Sequence, residues 1–276
     1  MEKMRTNKAY YWPLWLSLSL SEKERNALPL GLIKNLNKAN SYLWKALNLY
    51  DDCLDDSNKI NLLPEANKLY RLYLEICFRL NCCHDFYSLL SRITNRLDKA
   101  NKKELSEFRL KRKNGRFIKP TCPPKFGPLI NLADKSLALA LSPIAILYSL
   151  TGKPNKQKVQ KTIKFFRLAL SAKQLADDTK DWRADLEAGR LTQANWLILK
   201  HLNQRTIDLT KEKTNYQLNC IFVNFAAKLL GQNIFYLCQK AKQEAEHCGL
   251  GYRSRLVQEI IGPLESGVKR ANLKLY

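Results

Sequence analysis

The sequence is poor in acidic residues, glycine, proline and histidine. Asp and Glu number 25 against 47 Lys and Arg, which leaves the 276-residue chain with a formal charge of +22. Ten Gly and ten Pro are too few for a turn-rich β fold and favour long helices. The three His, at positions 84, 201 and 247, are too scattered for a triad. Among the eight Cys no C-x-x-C spacing occurs, and neither Cys82-Cys83-His84 nor His247-Cys248 has the spacing of a zinc site. Cysteines placed in this way are expected of a reduced, cytoplasmic protein. A Gly-rich phosphate loop is absent. No apolar run reaches the roughly 18 residues that cross a bilayer. The longest, Ser136 to Leu150, is interrupted by Ser142 and Pro143 and reads as a buried helix.

What acid there is lies in two places. Of 12 Asp, 8 fall in Asp51-Asp52-Cys53-Leu54-Asp55-Asp56, in Asp177-Asp178-Thr179-Lys180-Asp181, or at Asp185. On a helix, Asp51 stands over Asp55 and Asp52 over Asp56, while Asp177, Asp181 and Asp185 form one stripe. Like charges at that spacing destabilise a helix, and burial raises the cost. A cation is therefore expected between them. Oxygen-only ligands select hard ions such as Mg²⁺, which is held by one or two carboxylates together with water and substrate phosphates. Two facing acidic helices would make a metal clamp for a diphosphate.

The remainder reads as helices. Lys3, Arg5 and Lys8 precede the apolar segment Tyr10 to Leu20 in the outline of a signal peptide, but no A-x-A-like cleavage site follows. The segment runs on into Ser21-Glu22-Lys23-Glu24, a capping box, so a first core helix is expected, with Pro13 in its first turn. From Lys34 to Asp56, Leu36, Ala39, Leu43, Ala46, Leu47 and Tyr50 recur at helical spacing. This puts the first acidic segment at a helix C-terminus, where the dipole disfavours anions. Pro64 opens another helix through Leu80, and Tyr87 to Leu97 supplies a further one. Between about 99 and 128, Lys102, Lys103, Arg109, Lys111, Arg112, Lys113, Arg116 and Lys119 end in Pro120, Pro123 and Pro124. The expectation is a mobile basic loop with a short helix at its start, either a flap or membrane contact beside the site or a solvated excursion. Leu129 to Leu150 is expected to be central and kinked at Pro143, and Gly152 to Asn155 to be a turn. Lys158 to Ala188 reads as one long helix stopped by Gly189. Helices follow over Gln193 to Leu209, Tyr216 to His247 and Ser254 to Leu273. The sum is an all-α single domain over 1–276 with the acidic segments on facing helices.

Within that layout, Gln174, Asp177, Asp181, Asp185, Gly189 and Arg190 keep a fixed spacing, and Asp51 begins a D-D-x-x-D-D pattern 126 positions before Asp177. Tyr10-Tyr11 with Arg25 and Ala27-Leu28 form an aromatic and arginine-containing opening. In these features the chain resembles the class I isoprenoid synthases, most closely the squalene/phytoene synthase branch. The resemblance implies a helical bundle with a central apolar tunnel, prenyl diphosphate substrates, several Mg²⁺ ions, and an allylic carbocation kept from water. It would place Mg²⁺ on Asp51, Asp52 and Asp55 of one helix and on Asp177, Asp181 and Asp185 of the other, with Asp56 and Asp178 beside them. Asp51, Asp52, Asp55, Asp177 and Asp181 would be catalytic, and Gln174, Lys180, Arg183 and Arg190 would bind substrate. Ala138, Leu141, Ile146, Leu43, Ala46 and Leu47 would line the tunnel.

On this resemblance the reaction is a head-to-head joining of two prenyl diphosphates. A squalene-type product would require NADPH and a phytoene-type product would not. The second acidic segment is also similar to that of the trans-prenyl diphosphate synthases, although their Gly-Gly-Lys segment for isopentenyl diphosphate is absent, so chain elongation is the second reading and terpene cyclisation the third. A non-enzymatic alternative is a basic helical protein that binds RNA or a membrane surface. In the basic segment only Phe108, Phe117 and Phe126 are aromatic, and no recognition motif occurs, so no specific nucleic acid is expected. The charge suits peripheral contact with an anionic inner membrane face. Monomer and homodimer are both compatible with the sequence.

Overall fold

Apolar residues at helical spacing bring the chain together as an all-α bundle. The computed structural model describes residues 8–55, 57–80, 84–150 and 155–274, with the side chains of residues 55, 57 and 272–274 outside the description. Asp56, the Cys82-Cys83 pair and the turn residues Gly152 to Pro154 therefore lie outside the described residues. The α-helices are α1 (Trp12–Leu18), α2 (Glu22–Asn26), α3 (Leu32–Asp55), α4 (Leu63–Arg79), α5 (His84–Glu107) and α6 (Leu141–Ser149). After them come α7 (Lys156–Lys180), α8 (Trp182–Glu187), α9 (Gln193–Lys200), α10 (Glu212–Ile221), α11 (Ala227–His247) and α12 (Arg255–Lys274). A π turn, Phe222–Ala226, joins α10 to α11 in one continuous helix. Among the described residues this is the one unbent helix long and apolar enough to cross a membrane. Its Leu230, Ile234, Leu237 and Ala241 are nonetheless buried, and α11 packs along α7.

Two helix pairings position the acidic segments. α3 lies along α4 with Leu36, Ala39, Leu43 and Ala46 fully buried, the stripe that its periodicity predicts. α7 lies along α11 and buries Phe165, Phe166, Ala169, Leu170 and Ala172 almost completely. Burial on that scale, about 1.5–3 kcal/mol for each large side chain, fixes the rotation of α7 about its axis and hence the direction of its last turns.

The apolar run is central, as expected, and every residue from Leu137 to Tyr148 is buried. Its break falls elsewhere. The chain forms 3-10 turns over Leu129–Lys135 and Leu137–Ala140, and its direction changes by 79° between Leu129–Lys135 and Leu137–Ser149. Pro143 sits in the first turn of α6, where its missing N–H has no intrahelical acceptor to serve, so it causes no kink.

The basic segment is not an open loop. α5 continues to Glu107, and the chain then forms the hairpin β1 (Arg112–Lys113) and β2 (Arg116–Ile118), to which β3 (Thr206–Ile207) adds antiparallel. Asn114 (φ 51°) and Gly115 (φ 75°) make its turn, and Asn-Gly flanked by extended residues was the signal for it in the sequence. Addition of β3 also explains why the helix from Gln193 stops at Lys200 and does not reach Leu209. Phe117 is buried beneath the Arg112 guanidinium, 4.3 Å from its ring centre.

Two contacts yield stability predictions. Gly189 has φ +72°, and a Cβ there would stand 2.9 Å from Phe117 Cε1. Gly189→Ala should cost about 1–2 kcal/mol for the left-handed backbone alone, and more from the clash. In a thermal melt followed by circular dichroism it should lower Tm by several degrees, and Phe117→Ala should recover part of the loss. Glu24 closes the capping box on the Ser21 N–H and hydroxyl, both at 2.9 Å, and accepts from Lys158 Nζ at 2.9 Å. The Lys158 hydrogen bond, with those from Ser21, overcomes partial burial and brings the Glu24 carboxyl from near 4.5 to about 2. Because its folded-state value lies below its unfolded value, the stabilisation is present at neutral pH and is lost as pH falls from about 4.5 through about 2. Urea melts across that window should show a shallower loss of stability for Glu24→Gln than for the parent chain.

Candidate active site

One cavity of about 620 Å³ collects residues from α3, α5, the Leu129–Lys135 turn and the α7–α8 region. Its acidic wall is Asp51, Asp177, Asp178, Asp181 and Asp185, with Gln174 one turn earlier. The helix expected to be continuous from Lys158 to Ala188 breaks at Asp181 (φ −99°, ψ 11°), where α7 ends and α8 begins. Backbone bonds from Asp181 N to Asp177 O and from Asp185 N to Asp181 O, both 2.9 Å, carry the four-residue spacing across the joint. The acidic stripe thereby survives the break.

The carboxylates differ in depth. Asp177 and Asp181 stand at the rim, half of each side chain exposed, and pair with Lys173 at 2.7 Å and Lys180 at 3.6 Å. Asp178, the less certain member on sequence, is buried and accepts from Gln174 Nε2 at 2.8 Å. Burial raises its carboxyl to about 7; the Asp185 and Asp177 charges push the same way, while the Gln174 hydrogen bond and Lys135 oppose them. Asp185 is also buried, and its Oδ1 accepts from Arg190 Nε at 2.9 Å and lies 2.7 Å from Nη2. Arg190 thus lines the cavity with its guanidinium engaged by Asp185, beside the substrate role that the resemblance implied.

The first segment is divided by helix rotation. Asp51 lines the cavity and lies 3.5 Å from Lys135, but Asp52 is not part of the lining and pairs with Lys59 at 2.8 Å. The side chain of Asp55 and all of Asp56 lie outside the described residues. Lys180 and Arg183 do not line the cavity either. Arg183 lies against Trp182 and holds Glu187 at 3.0 Å, because its helical phase turns it away from Asp181 and Asp185.

The apolar lining also differs from expectation. Leu43, Ala46, Leu47, Ala138, Leu141 and Ile146 are buried in the core, and none faces the cavity. Its apolar wall is instead Phe108 and Phe126, with ring centres 4.9 Å apart, together with Leu132 and Leu191. Several polar residues escaped the sequence reading as parts of the site: Arg96, Lys99, Lys103 and Glu104 on α5, with Asn131, Asp134 and Lys135 before α6. Lys135 bridges Glu104 at 2.6 Å and Asp51 at 3.5 Å. The helical spacing of positions 96, 99 and 103 was the available signal, hidden because one helix was expected to end at Leu97 and a separate short one to open the basic loop, where α5 is continuous.

A strap joins the two acidic segments. Leu110 N–H donates to the Gly189 carbonyl and Leu191 N–H to the Phe108 carbonyl, both at 2.8 Å. Between them, Arg109 Nη2 donates to the Leu54 carbonyl at 3.2 Å, a cation placed at the carbonyl end of α3. The donors facing the cavity are oxygen, with neither Cys nor His, which suits a hard divalent ion. Among the described residues no group of three or more His, Cys, Asp or Glu side chains converges to hold an ion.

No model of a protein family and no curated protein matches this sequence. Solved structures do match it. A polyprenyl synthase of Roseobacter denitrificans superposes with a TM-score of 0.70 at 12% identity, covering 96% of this chain and 86% of that one. The octaprenyl pyrophosphate synthase of Helicobacter pylori gives 0.66 at 17% identity, covering 96% and 89%. For the heptaprenyl diphosphate synthase of Staphylococcus aureus the values are 0.62 and 13%, with 97% and 87% covered. At these identities the likeness is one of architecture, and the chain has the all-α fold of these three synthases.

Proposed function

We propose that this chain is a Mg²⁺-dependent prenyltransferase that ionises an allylic prenyl diphosphate in the cavity between α3 and α7. The observation that carries this reading is the meeting of Asp51 with Asp177, Asp178, Asp181 and Asp185 on one cavity that also has an aromatic wall. Asp51, Asp177 and Asp181 stand at the rim, where a diphosphate would enter, and are the candidate metal ligands. Bound Mg²⁺ would supply charge neutralisation to the departing diphosphate. Asp178 and Asp185 lie deeper, and Gln174 and Arg190 hold them in place. Phe108, Phe126 and Leu132 offer an apolar surface for the prenyl chain and exclude water from an electron-poor carbon.

The acceptor separates two readings. Likeness in fold to polyprenyl, heptaprenyl and octaprenyl synthases favours chain elongation with isopentenyl diphosphate, a reaction that needs no nicotinamide cofactor. The spacing of Gln174, Asp177, Asp181, Asp185, Gly189 and Arg190 supports head-to-head coupling as the second reading. Farnesyl and geranylgeranyl diphosphate, each supplied with and without isopentenyl diphosphate, should show Mg²⁺-dependent diphosphate release, and product mass separates the readings. If neither substrate releases diphosphate under any of these conditions, the proposal fails.

The geometry ranks the carboxylates. Asp181→Asn and Asp51→Asn should each lower kcat by roughly 10²–10³-fold, the size of effect expected when a group stabilising developing charge is removed. Asp52→Asn should cost less, because Asp52 faces Lys59 and not the cavity. Steady-state assays with a thermal melt on each variant would check the order, and an equal loss for Asp52→Asn would overturn the division between Asp51 and Asp52.

A further inference from the structure

The long helix formed by α10, the π turn and α11 carries an apolar face that the bundle does not cover. Of the 13 large apolar side chains that are exposed among the described residues, 5 lie on it: Tyr216, Val223, Phe225, Phe235 and Tyr236. Only 28% of its most apolar 18-residue window is buried. From Phe225 onward, the exposed positions 225, 228, 232, 235, 236 and 240 recur at helical spacing and share one face. Leu230, Ile234, Leu237 and Ala241 are buried on the other side, where α11 packs along α7.

The charge of this helix is one-sided as well. Between Glu212 and Glu244 the chain has no Asp or Glu, but it has Lys213, Lys228, Lys240 and Lys242. Lys242 is held by Glu265 at 2.6 Å, whereas among the described residues Lys213 and Lys228 pair with no carboxylate. The Lys240 ammonium lies 5.8 Å from the centre of the Tyr236 ring, and that of Lys200, at the end of α9, lies 5.3 Å from the centre of the Phe225 ring. Cations therefore border the exposed rings.

We infer that this face of α10 and α11 seats the protein on an anionic lipid surface, with the rings at the apolar boundary and the lysines among the head groups. The chemistry selects that occupant. Aromatic side chains edged by Lys and free of acid are the composition of a helix that lies in a membrane interface, where ammonium groups reach anionic lipid. Docking of a second copy through the same face would bring lysine against lysine, in a chain already at +22. Because buried side chains hold the opposite side of α11 against α7, the helix lies along the bilayer and does not cross it. The inference does not rest on the prenyl transfer proposed above, since it requires no bound diphosphate.

The test is cosedimentation of the full chain with vesicles of phosphatidylcholine containing phosphatidylglycerol, and with vesicles of phosphatidylcholine alone. The parent chain should bind the anionic vesicles more tightly. Phe235→Ser/Tyr236→Ser, which changes no charge, should weaken that binding by at least about tenfold. Lys228→Gln and Lys240→Gln should each weaken it by about fivefold. Absence of binding by the parent chain overturns the inference, and so does equal binding by the ring variant, which would show attraction by net charge alone. Both rings are exposed, so their replacement spares the core, and Tyr236→Ser alone tests the same point should the double variant not fold. Sedimentation velocity without lipid is the second readout. A dimeric parent chain with a monomeric ring variant would assign the face to a second copy and overturn the inference. Diphosphate release in vesicle-free solution reads the prenyl transfer separately, so either result stands if the other fails.

Discussion

Repulsion among carboxylates is the constraint on which the rest of this structure depends. Two unit charges about 4 Å apart near a protein surface interact by about 4 kcal/mol, comparable with the whole net stability of a domain. The chain brings five carboxylates from two helical regions into the lining of one cavity and buries two of them, Asp178 and Asp185. Asp185 is offset by Arg190, Asp51 by Lys135, Asp177 by Lys173 and Asp181 by Lys180. Among the described residues, Asp178 has only the neutral amide of Gln174 as a hydrogen-bond donor, and with burial dominating its carboxyl rises to about 7.

Holding such a wall together requires a scaffold that does not yield. α7 supplies it by burying large side chains against α11 and against the turn before α6, so the direction of its last turns is set by packing remote from the acids. The end of the wall is set differently. Gly189, in the left-handed conformation, lets the chain turn back under Phe117, and the strap at Phe108 to Leu110 pairs with Gly189 and Leu191. Through Arg109 the same strap reaches the last carbonyls of α3, so one short segment spans both acidic motifs.

The distribution of positive charge is part of the same arrangement. A chain at +22 has cations to spare, and their places are unequal. Some neutralise carboxylates singly, Lys135 bridges the first motif to α5, and Arg112 covers the ring of Phe117. Arg96, Lys99 and Lys103 line the same cavity as the acidic residues. The cavity is thus lined by acidic, basic and aromatic side chains together.

Much of this was legible before any coordinates. Helical periodicity located α3, α4 and α7, Ser21 to Glu24 announced its capping box, Gly189 marked a helix stop, and the clustering of Asp against the overall charge pointed to a single site. These are local properties, carried by residues within a turn or two of one another. Three things were decided only by long-range packing. Rotation of α3 against α4 turned Asp51 to the cavity and Asp52 to Lys59, although the two are adjacent in sequence. Pairing of residues 112–118 with Thr206–Ile207 made a sheet from a stretch whose charge suggested a loop. The apolar residues expected to line a tunnel became core, while Phe108 and Phe126, eighteen positions apart, met to form the apolar wall. Which face of a helix meets a cavity depends on what packs against its other faces, and that information is spread over the whole chain.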